Sequence, residues 1–274
     1  MAELFGFECY SPREIAERVE NVGVTKANLP LVPMVALGVL AGGFIGLGAL
    51  FSTIVLSDGA LGFAVARVLA GLVFSLGLIL VVIAGAELFT GNNLLVMACV
   101  ARRISVGKLF ANLAVVYVAN FIGAAGLAAM VALSGHAGMS DGAVGRTAVA
   151  IATAKVALPF GEAFFRGVLC NLLVCLAVWL AIAGRSVADK ILAIIFPISA
   201  FVAAGFEHSV ANMYFIPLGI FLHGDIGTAD VLRNLVPVTL GNLVGGAGMV
   251  GLVYHTIYRR GKTSSAPSST PEKP

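Results

Sequence analysis

Two short polar segments of the sequence resemble each other, and each interrupts a hydrophobic stretch. The first covers residues 85–93 and the second covers residues 205–213. Glycine, glutamate and asparagine recur at matching positions, pairing Gly85 with Gly205, Glu87 with Glu207, and Asn92 with Asn212. Paired interruptions in the two halves of a membrane protein are the strongest sequence indication of a transport site at the bilayer midplane.

The composition places these segments in a membrane protein. Apolar residues make up 59% and charged residues 11% of the chain, and the mean hydropathy is +1.00. A soluble domain carries about 25% charged residues. The sequence predicts an all-α integral membrane protein with six spans, near residues 31–56, 64–101, 106–133, 160–183, 188–222 and 234–258.

The second and fifth spans are far longer than the roughly 20 residues that one crossing needs. Each is therefore predicted to consist of two half-helices around a polar break. Backbone groups freed by such a break must be satisfied by protein or water, because lipid offers no hydrogen bonds. The two breaks should line a cavity or a pore.

The ends of the chain differ from its centre. Residues 1–30 are predicted to form a cytoplasmic amphipathic helix, with Ser11 as N-cap and Pro12 at the first position. The residues expected to share its apolar face are Ile15, Ala16, Val19 and Val22. A flexible tail is the alternative. Residues 31–260 are predicted to form the channel domain, and the Ser/Pro-rich residues 261–274 to be disordered.

The charges predict the orientation. Of the 17 Lys and Arg residues, twelve fall on the side of both termini, and the other side carries Arg67, Arg146, Lys155, Arg166 and Arg233. The positive-inside rule then predicts cytoplasmic N- and C-termini. The net charge of +3 follows from this topology and gives no reason to expect a nucleic-acid partner.

Similarity between the halves extends beyond the breaks. Residues 38–42 resemble residues 167–171, and residues 120–123 resemble residues 242–245. The two repeats, about 31–133 and 160–258, each hold three spans. Because three is odd, the halves are predicted to have opposite orientations, related by a pseudo-two-fold axis in the membrane plane.

Three motifs, at residues 86–91, 170–179 and 205–213, closely resemble the formate–nitrite transporter family, and the resemblance covers roughly residues 10 to 260. It implies an aquaporin-like fold in a homopentamer with one pore per protomer, in a bacterial inner membrane. It also implies small monovalent anions or their conjugate acids as substrates, such as formate, nitrite, hydrosulfide, acetate or lactate.

His208 is the principal candidate for the pore. It lies at the start of the half-helix 208–222, where the partial positive charge and free N–H groups favour an anion. Histidine is also the side chain best suited to exchange a proton near neutral pH. A neutral acid crosses an apolar pore more easily than its anion, so proton transfer from His208 would lower the barrier. The alternative is a structural histidine hydrogen-bonded within the break.

Thr90, in the other break, has a hydroxyl that can both donate and accept. The resemblance implies that it faces His208, and a role as a helix cap is the alternative. Glu87 and Glu207 would repel an anion, so they are expected to accept hydrogen bonds from free backbone N–H groups of the loops. Asn92 and Asn212 are assigned the same loop-anchoring role.

Lys155 precedes the fourth span, and the family has a lysine at this place. It is predicted to attract anions into an outer vestibule, with an interfacial lysine that snorkels as the alternative. Asn171 needs hydrogen-bond partners in the membrane, and both the substrate and a break loop are possible. The resemblance further implies apolar constrictions that reject hydrated ions, formed by Phe74, Leu78, Phe89, Val174 and Phe201.

Cys9, Cys99, Cys170 and Cys175 lack metal-ligand spacing, and no cofactor loop is present, so neither a metal nor a cofactor is expected. A proton-coupled or passive formate channel is the preferred function, with a nitrite or hydrosulfide channel as the alternative. An aquaporin-like pore for neutral solutes is disfavoured because no Asn-Pro-Ala triplet occurs. A membrane-embedded enzyme is disfavoured because the spans lack a nucleophile–base arrangement.

Overall fold

The computed structural model describes residues 9–259, which form an almost entirely helical chain. In chain order the helices are α1 (Pro12–Ala27), α2 (Leu31–Leu56), α3 (Phe63–Gly85), α4 (Phe89–Val100), α5 (Val106–Leu133), α6 (Ala143–Val156), α7 (Phe160–Ala183), α8 (Val187–Ala204), α9 (Ser209–Phe221) and α10 (Thr228–Tyr258). A 3₁₀ turn, His136–Gly138, precedes α6. Helix α3 ends in a π-helical turn, Val81–Gly85, and α10 contains a longer π-helical stretch, Val244–Leu252.

Within residues 9–259, six helices are long and apolar enough to cross a membrane, namely α2, α3, α5, α7, α8 and α10. The shorter apolar helices α4 and α9 directly follow α3 and α8. The predicted second and fifth spans are therefore both broken, as expected. The last span begins at Thr228 rather than near residue 234.

Helix α6 was not predicted from the sequence. It carries Arg146 and Lys155 among small residues, and it is too short to cross a bilayer. Its importance is positional, because its last turn brings Lys155 close to the second break.

The N-terminal helix α1 begins as predicted. The Ser11 side chain accepts from the Glu14 N–H, and Glu14 bonds back to the Ser11 backbone. Ile15, Ala16 and Val19 are buried against other helices rather than against lipid. Val22 is 41% exposed and lines the same cavity as Val19.

The cytoplasmic location of α1 and the domain boundaries stay predictions. Residues 1–8 of the predicted helical segment, and the tail predicted for residues 261–274, lie outside the described residues.

Two pairs of helices pack with their backbones in contact. A side chain on Gly123 of α5 would collide with the backbone of Val39 in α2, and one on Gly42 with the backbone of Asn120. Gly241 and Gly245 of α10 bring that helix equally close to α7. Small residues allow such close approach where lipid supplies no hydrophobic driving force. The close approach places α5 and α10 directly beside the two breaks.

We expect Gly123→Ala to lower the Tm of the detergent-solubilised protein, since the added methyl group forces the two backbones apart at a cost of about 1–3 kcal/mol. Gly126→Ala is the matched control, because Gly126 lies on the same helix with open space around it. Helix propensity alone favours alanine over glycine at both positions. Equal Tm values for the two variants would contradict close packing at this crossing.

Candidate functional site

Each break begins with a glycine in the left-handed region of backbone conformation. Gly85 has φ of 85° and Gly205 has φ of 74°, values that other residues rarely adopt. These glycines end α3 and α8, and about three residues of extended chain then lead into α4 and α9. Both glutamates and His208 lie in these short loops.

Two buried asparagines satisfy the backbone of the breaks. Asn120 of α5 accepts from the Phe89 N–H at 2.9 Å and donates to the carbonyls of Gly38 and Glu87, both at 2.8 Å. In this way one amide ties the first loop to two helices. Its three hydrogen bonds replace those that the interrupted helix has lost.

Asn242 of α10 makes the corresponding three bonds in the second break. Its Oδ1 accepts from the Ser209 N–H at 3.0 Å, and its Nδ2 donates to the carbonyls of Gly167 at 2.8 Å and Glu207 at 3.0 Å. Asn120 and Asn242 both have 0% exposure. Neither was predicted as a site residue, although both belong to the repeated segments at residues 120–123 and 242–245.

A closed ring of polar contacts surrounds Glu87. Its carboxylate accepts from Lys26 Nζ at 2.8 Å and from Asn92 Nδ2 at 2.7 Å. Asn92 also donates to Asn112, which donates to the Lys26 carbonyl at 3.1 Å. The last turn of α1 is thereby tied to the first break.

The same ring surrounds Glu207 in the second break. Glu207 accepts from Lys155 Nζ at 2.9 Å and from Asn212 Nδ2 at 2.6 Å. Asn212 donates to Asn234 at 2.7 Å, and Asn234 donates to the Lys155 carbonyl at 2.8 Å.

The expected partners of the two glutamates were therefore wrong. Glu87 and Glu207 accept from lysine and asparagine side chains rather than from loop N–H groups, because a buried carboxylate is best balanced by a cation. Asn120 and Asn242 supply the acceptors for the N–H groups of Phe89 and Ser209.

His208 and Thr90 meet where the two breaks approach each other. Thr90 Oγ1 lies 2.9 Å from His208 Nε2, and His208 Nδ1 accepts from the Ala211 N–H at 3.1 Å. Because a backbone N–H can only donate, this network assigns the proton of the neutral ring to Nε2, which then donates to Thr90. The Phe201 ring stacks on His208 with centroids 5.8 Å apart.

Asn171 lies behind Thr90. It donates to the carbonyls of Thr90 at 3.3 Å and Asn242 at 2.7 Å. The Cys175 thiol is 3.4 Å from the same Thr90 carbonyl. Asn171 therefore joins the first break to α10, and a contact with the substrate stays a prediction.

Two cavities approach this centre from opposite sides. The His208 cavity, of about 250 Å³, is lined by Lys155, Glu207, His208, Phe74 and Phe201 among others. The Lys26 cavity, of about 750 Å³, is lined by Lys26, Glu87, Leu78 and Leu88 among others.

All five predicted constriction residues are at most 3% exposed and belong to the main apolar cluster of the core. Phe74 and Phe201 line the His208 cavity and Leu78 lines the Lys26 cavity, whereas Phe89 and Val174 line neither. Phe89 instead packs edge-on against Tyr117, with ring centroids 4.9 Å apart. The constriction roles of all five stay predictions.

The site residues that sequence reasoning missed are polar residues distant from the breaks, namely Lys26, Asn112, Asn120, Asn234 and Asn242. For the four asparagines a usable signal was present, since polar side chains within spans are rare and mark functional contacts by default; Lys26 lies in α1, outside the spans, and gave no such signal. Their pairing across the two halves strengthens this signal.

Residues 13–256 match the family model for the formate/nitrite transporter. The chain belongs to the formate/nitrite transporter family. It is 38% identical to formate channel FocA of Escherichia coli strain K12, over 93% of this chain and 96% of the relative. It is 42% identical to the uncharacterized transporter YrhG of Bacillus subtilis strain 168, over 91% and 94%.

A solved structure, a pentameric formate channel with formate bound, superimposes with a TM-score of 0.77 at 38% identity, covering 83% of this chain and 97% of that chain. Membership of this family makes the protein a multi-pass membrane transporter and not an enzyme.

We expect Glu207→Ala to lower the Tm and the transport rate more than Glu207→Gln does. Alanine leaves Lys155 and Asn212 without their shared acceptor, at about 1–3 kcal/mol for each unpaired group, whereas glutamine keeps one acceptor oxygen. Thermal unfolding in detergent and vesicle flux measure the two effects.

Glu162→Ala is the control for this comparison. Glu162 is 55% exposed and pairs with Arg166 on the surface, so its loss should cost under about 1 kcal/mol. Equal Tm values for Glu207→Ala and Glu207→Gln would refute the anchoring role.

Proposed function

We propose that this protein conducts formate across the membrane, with His208 exchanging a proton with the substrate. The observation that carries the proposal is the position of His208, which lines one cavity and contacts Thr90 in the opposite break. The formate channels among the relatives support formate as the substrate.

In such a channel the substrate must pass apolar side chains on its way from the His208 cavity to the Lys26 cavity. A formate anion loses its hydration there, and a charge in an apolar medium is costly. Protonation at a carboxylate oxygen converts the anion to neutral formic acid, which crosses at far lower cost. The acid then releases its proton to water on the other side.

The tautomer of His208 sets the conditions for this transfer. The neutral ring donates from Nε2, so it can hydrogen-bond an anion but cannot surrender that proton without becoming an imidazolate. Transfer therefore proceeds from the imidazolium, which passes Nε2–H to the carboxylate and is left as the neutral ring protonated at Nδ1. Loss of the Nδ1 proton to water and uptake of a proton from water at Nε2 then restore the resting tautomer. Forming the imidazolium places a proton on Nδ1 and breaks the bond from the Ala211 N–H.

The proposal gives Lys155 a different role from the one predicted from the sequence. Its ammonium group lies against Glu207 and is 14% exposed, so much of its charge is balanced within the ring. It lines the His208 cavity and acts there as part of a dipolar pair. The role of Lys155 as an outer electrostatic funnel is correspondingly weaker than the sequence alone suggested.

The inverted repeat, the pentamer and the membrane orientation belong to the same proposal. The matched rings around Glu87 and Glu207 support the repeat, and the pentameric formate channel of similar structure supports a homopentamer. The excess of Lys and Arg on the side of the termini supports cytoplasmic termini in a bacterial inner membrane.

A nitrite or hydrosulfide channel is the alternative within the family. Flux into proteoliposomes with formate, nitrite, hydrosulfide, lactate and glycerol separates the candidates. Formate carried faster than the other anions supports the proposal. Rapid glycerol flux without anion flux would indicate a pore for neutral solutes instead.

We expect His208→Asn to reduce formate uptake by about a hundredfold, the lower end of what a positioned proton donor contributes. Wild-type uptake, corrected for protein-free vesicles, should rise as the pH falls, because each formate carried as the neutral acid takes up one proton. The variant should lose this response.

His223→Asn is the matched control, since His223 lies in the turn after α9 with φ of 62°, a conformation that asparagine tolerates. Both variants should elute as intact oligomers. Unchanged uptake and an unchanged pH response in an intact His208→Asn oligomer would rule out proton exchange by this residue.

A further inference from the structure

Arg67 of α3 lines the His208 cavity and is held there by the neighbouring helix α8. Its Nε donates to the Ala203 carbonyl at 3.0 Å and its Nη2 donates to the Val202 carbonyl at 2.6 Å. These carbonyls belong to the last turn of α8, immediately before Gly205 and the second break. The guanidinium is therefore fixed in position beside the loop that carries His208.

The charge of Arg67 is not balanced by a carboxylate. Three cations line the His208 cavity, namely Arg67, Lys155 and Arg166. Lys155 is paired with Glu207 and Arg166 with Glu162. Within residues 9–259, Arg67 makes no ion pair, and its third nitrogen, Nη1, has no hydrogen-bond partner.

A purely structural role accounts for only part of this arrangement. Arg67 donates to the Ala203 carbonyl and shares the Val202 carbonyl with the Gly205 N–H at the C-terminus of α8, where a cation also suits the helix dipole. That role uses Nε and Nη2 and leaves Nη1, on a residue that lines the cavity, without a hydrogen-bond partner among residues 9–259. A guanidinium fixed on two sides is pre-organised, so little conformational entropy is lost when its remaining donors bind a ligand.

We infer that Arg67 is the anion-capture residue of the His208 cavity, with Nη1 donating to one oxygen of a small carboxylate. This inference rests on the proposed function and adds a binding step before proton exchange. An anion held at Arg67 is already partly dehydrated in the cavity that His208 lines. Lys155, in the same cavity, attracts the anion more weakly, because the carboxylate of Glu207 opposes the lysine charge.

The test compares Arg67→Gln, Arg67→Lys and the control Arg146→Gln in oriented proteoliposomes, with initial formate uptake measured at low formate concentration. Arg146 is an exposed arginine on α6 that bonds to the Asp141 carbonyl and does not line the cavity. We expect Arg67→Gln to lower uptake about fivefold, the effect of one unit charge at about 4 Å in water-like surroundings. Arg67→Lys should stay within about twofold of wild type.

The uptake assay is repeated at two ionic strengths. Between 0.1 M and 1 M sodium chloride the Debye length falls from about 10 Å to about 3 Å, so the Arg67→Gln deficit should shrink. An initial formate uptake by Arg67→Gln equal to that of the wild-type protein would overturn the inference. An equal, salt-independent loss in Arg67→Gln and Arg67→Lys would also overturn it and would assign Arg67 to capping α8 alone.

A binding measurement separates this inference from the proposed function. A ligand that binds the folded protein raises its Tm, so formate should raise the Tm of wild type and Arg67→Lys more than that of Arg67→Gln. This pattern in a wild-type protein without formate flux would refute the proposed transport and keep the capture site. Absence of any formate-dependent Tm shift would refute the capture site whatever the flux.

Discussion

The fold depends on hydrogen-bond partners for the backbone N–H and C=O groups that two interrupted helices expose inside a membrane. Lipid accepts no hydrogen bond, so each break must find partners within the protein. Asn120 and Asn242 provide them, each with one acceptor and two donors directed at the loop and at a neighbouring helix. Glycines at the helix crossings let α5 and α10 approach closely enough for these short side chains to reach the loops.

The charged residues of the site follow from the same constraint. A buried ion is tolerated only with a partner and with its remaining hydrogen-bonding capacity filled. In both rings a glutamate in the loop is balanced by a lysine from a helix that does not cross the membrane, and two asparagines complete the contacts. The rings hold Lys26 and Lys155 at the walls of the two cavities with their charges largely compensated. The two paired lysines therefore present only a moderate field to a small anion.

Much of this arrangement follows from the sequence, and the remainder depends on distant contacts. Hydropathy and length predicted the six spans and both breaks, and the family resemblance predicted that Thr90 faces His208. The partners of Glu87 and Glu207 were missed because Lys26 and Lys155 lie 61 and 52 residues away along the chain. Asn120 was noticed as part of a repeat, but a span sequence does not show which way an amide points. Helix α6 was missed because its two charged residues and short length give no spanning pattern.

The break also determines the chemistry available to His208. The Ala211 N–H is one of the free donors at the N-terminus of α9, and it uses Nδ1 as its acceptor. The helix terminus thus fixes the proton of the neutral ring on Nε2, directed at Thr90. Charging the ring requires this donor to be released and the imidazolium to exist beside Phe201 in a largely apolar setting. An anion at the same place stabilises the imidazolium, so proton uptake by His208 and substrate binding are favourably coupled. Under the proposed mechanism, the resting channel holds a neutral histidine, and the charged form appears with the anion that consumes its proton.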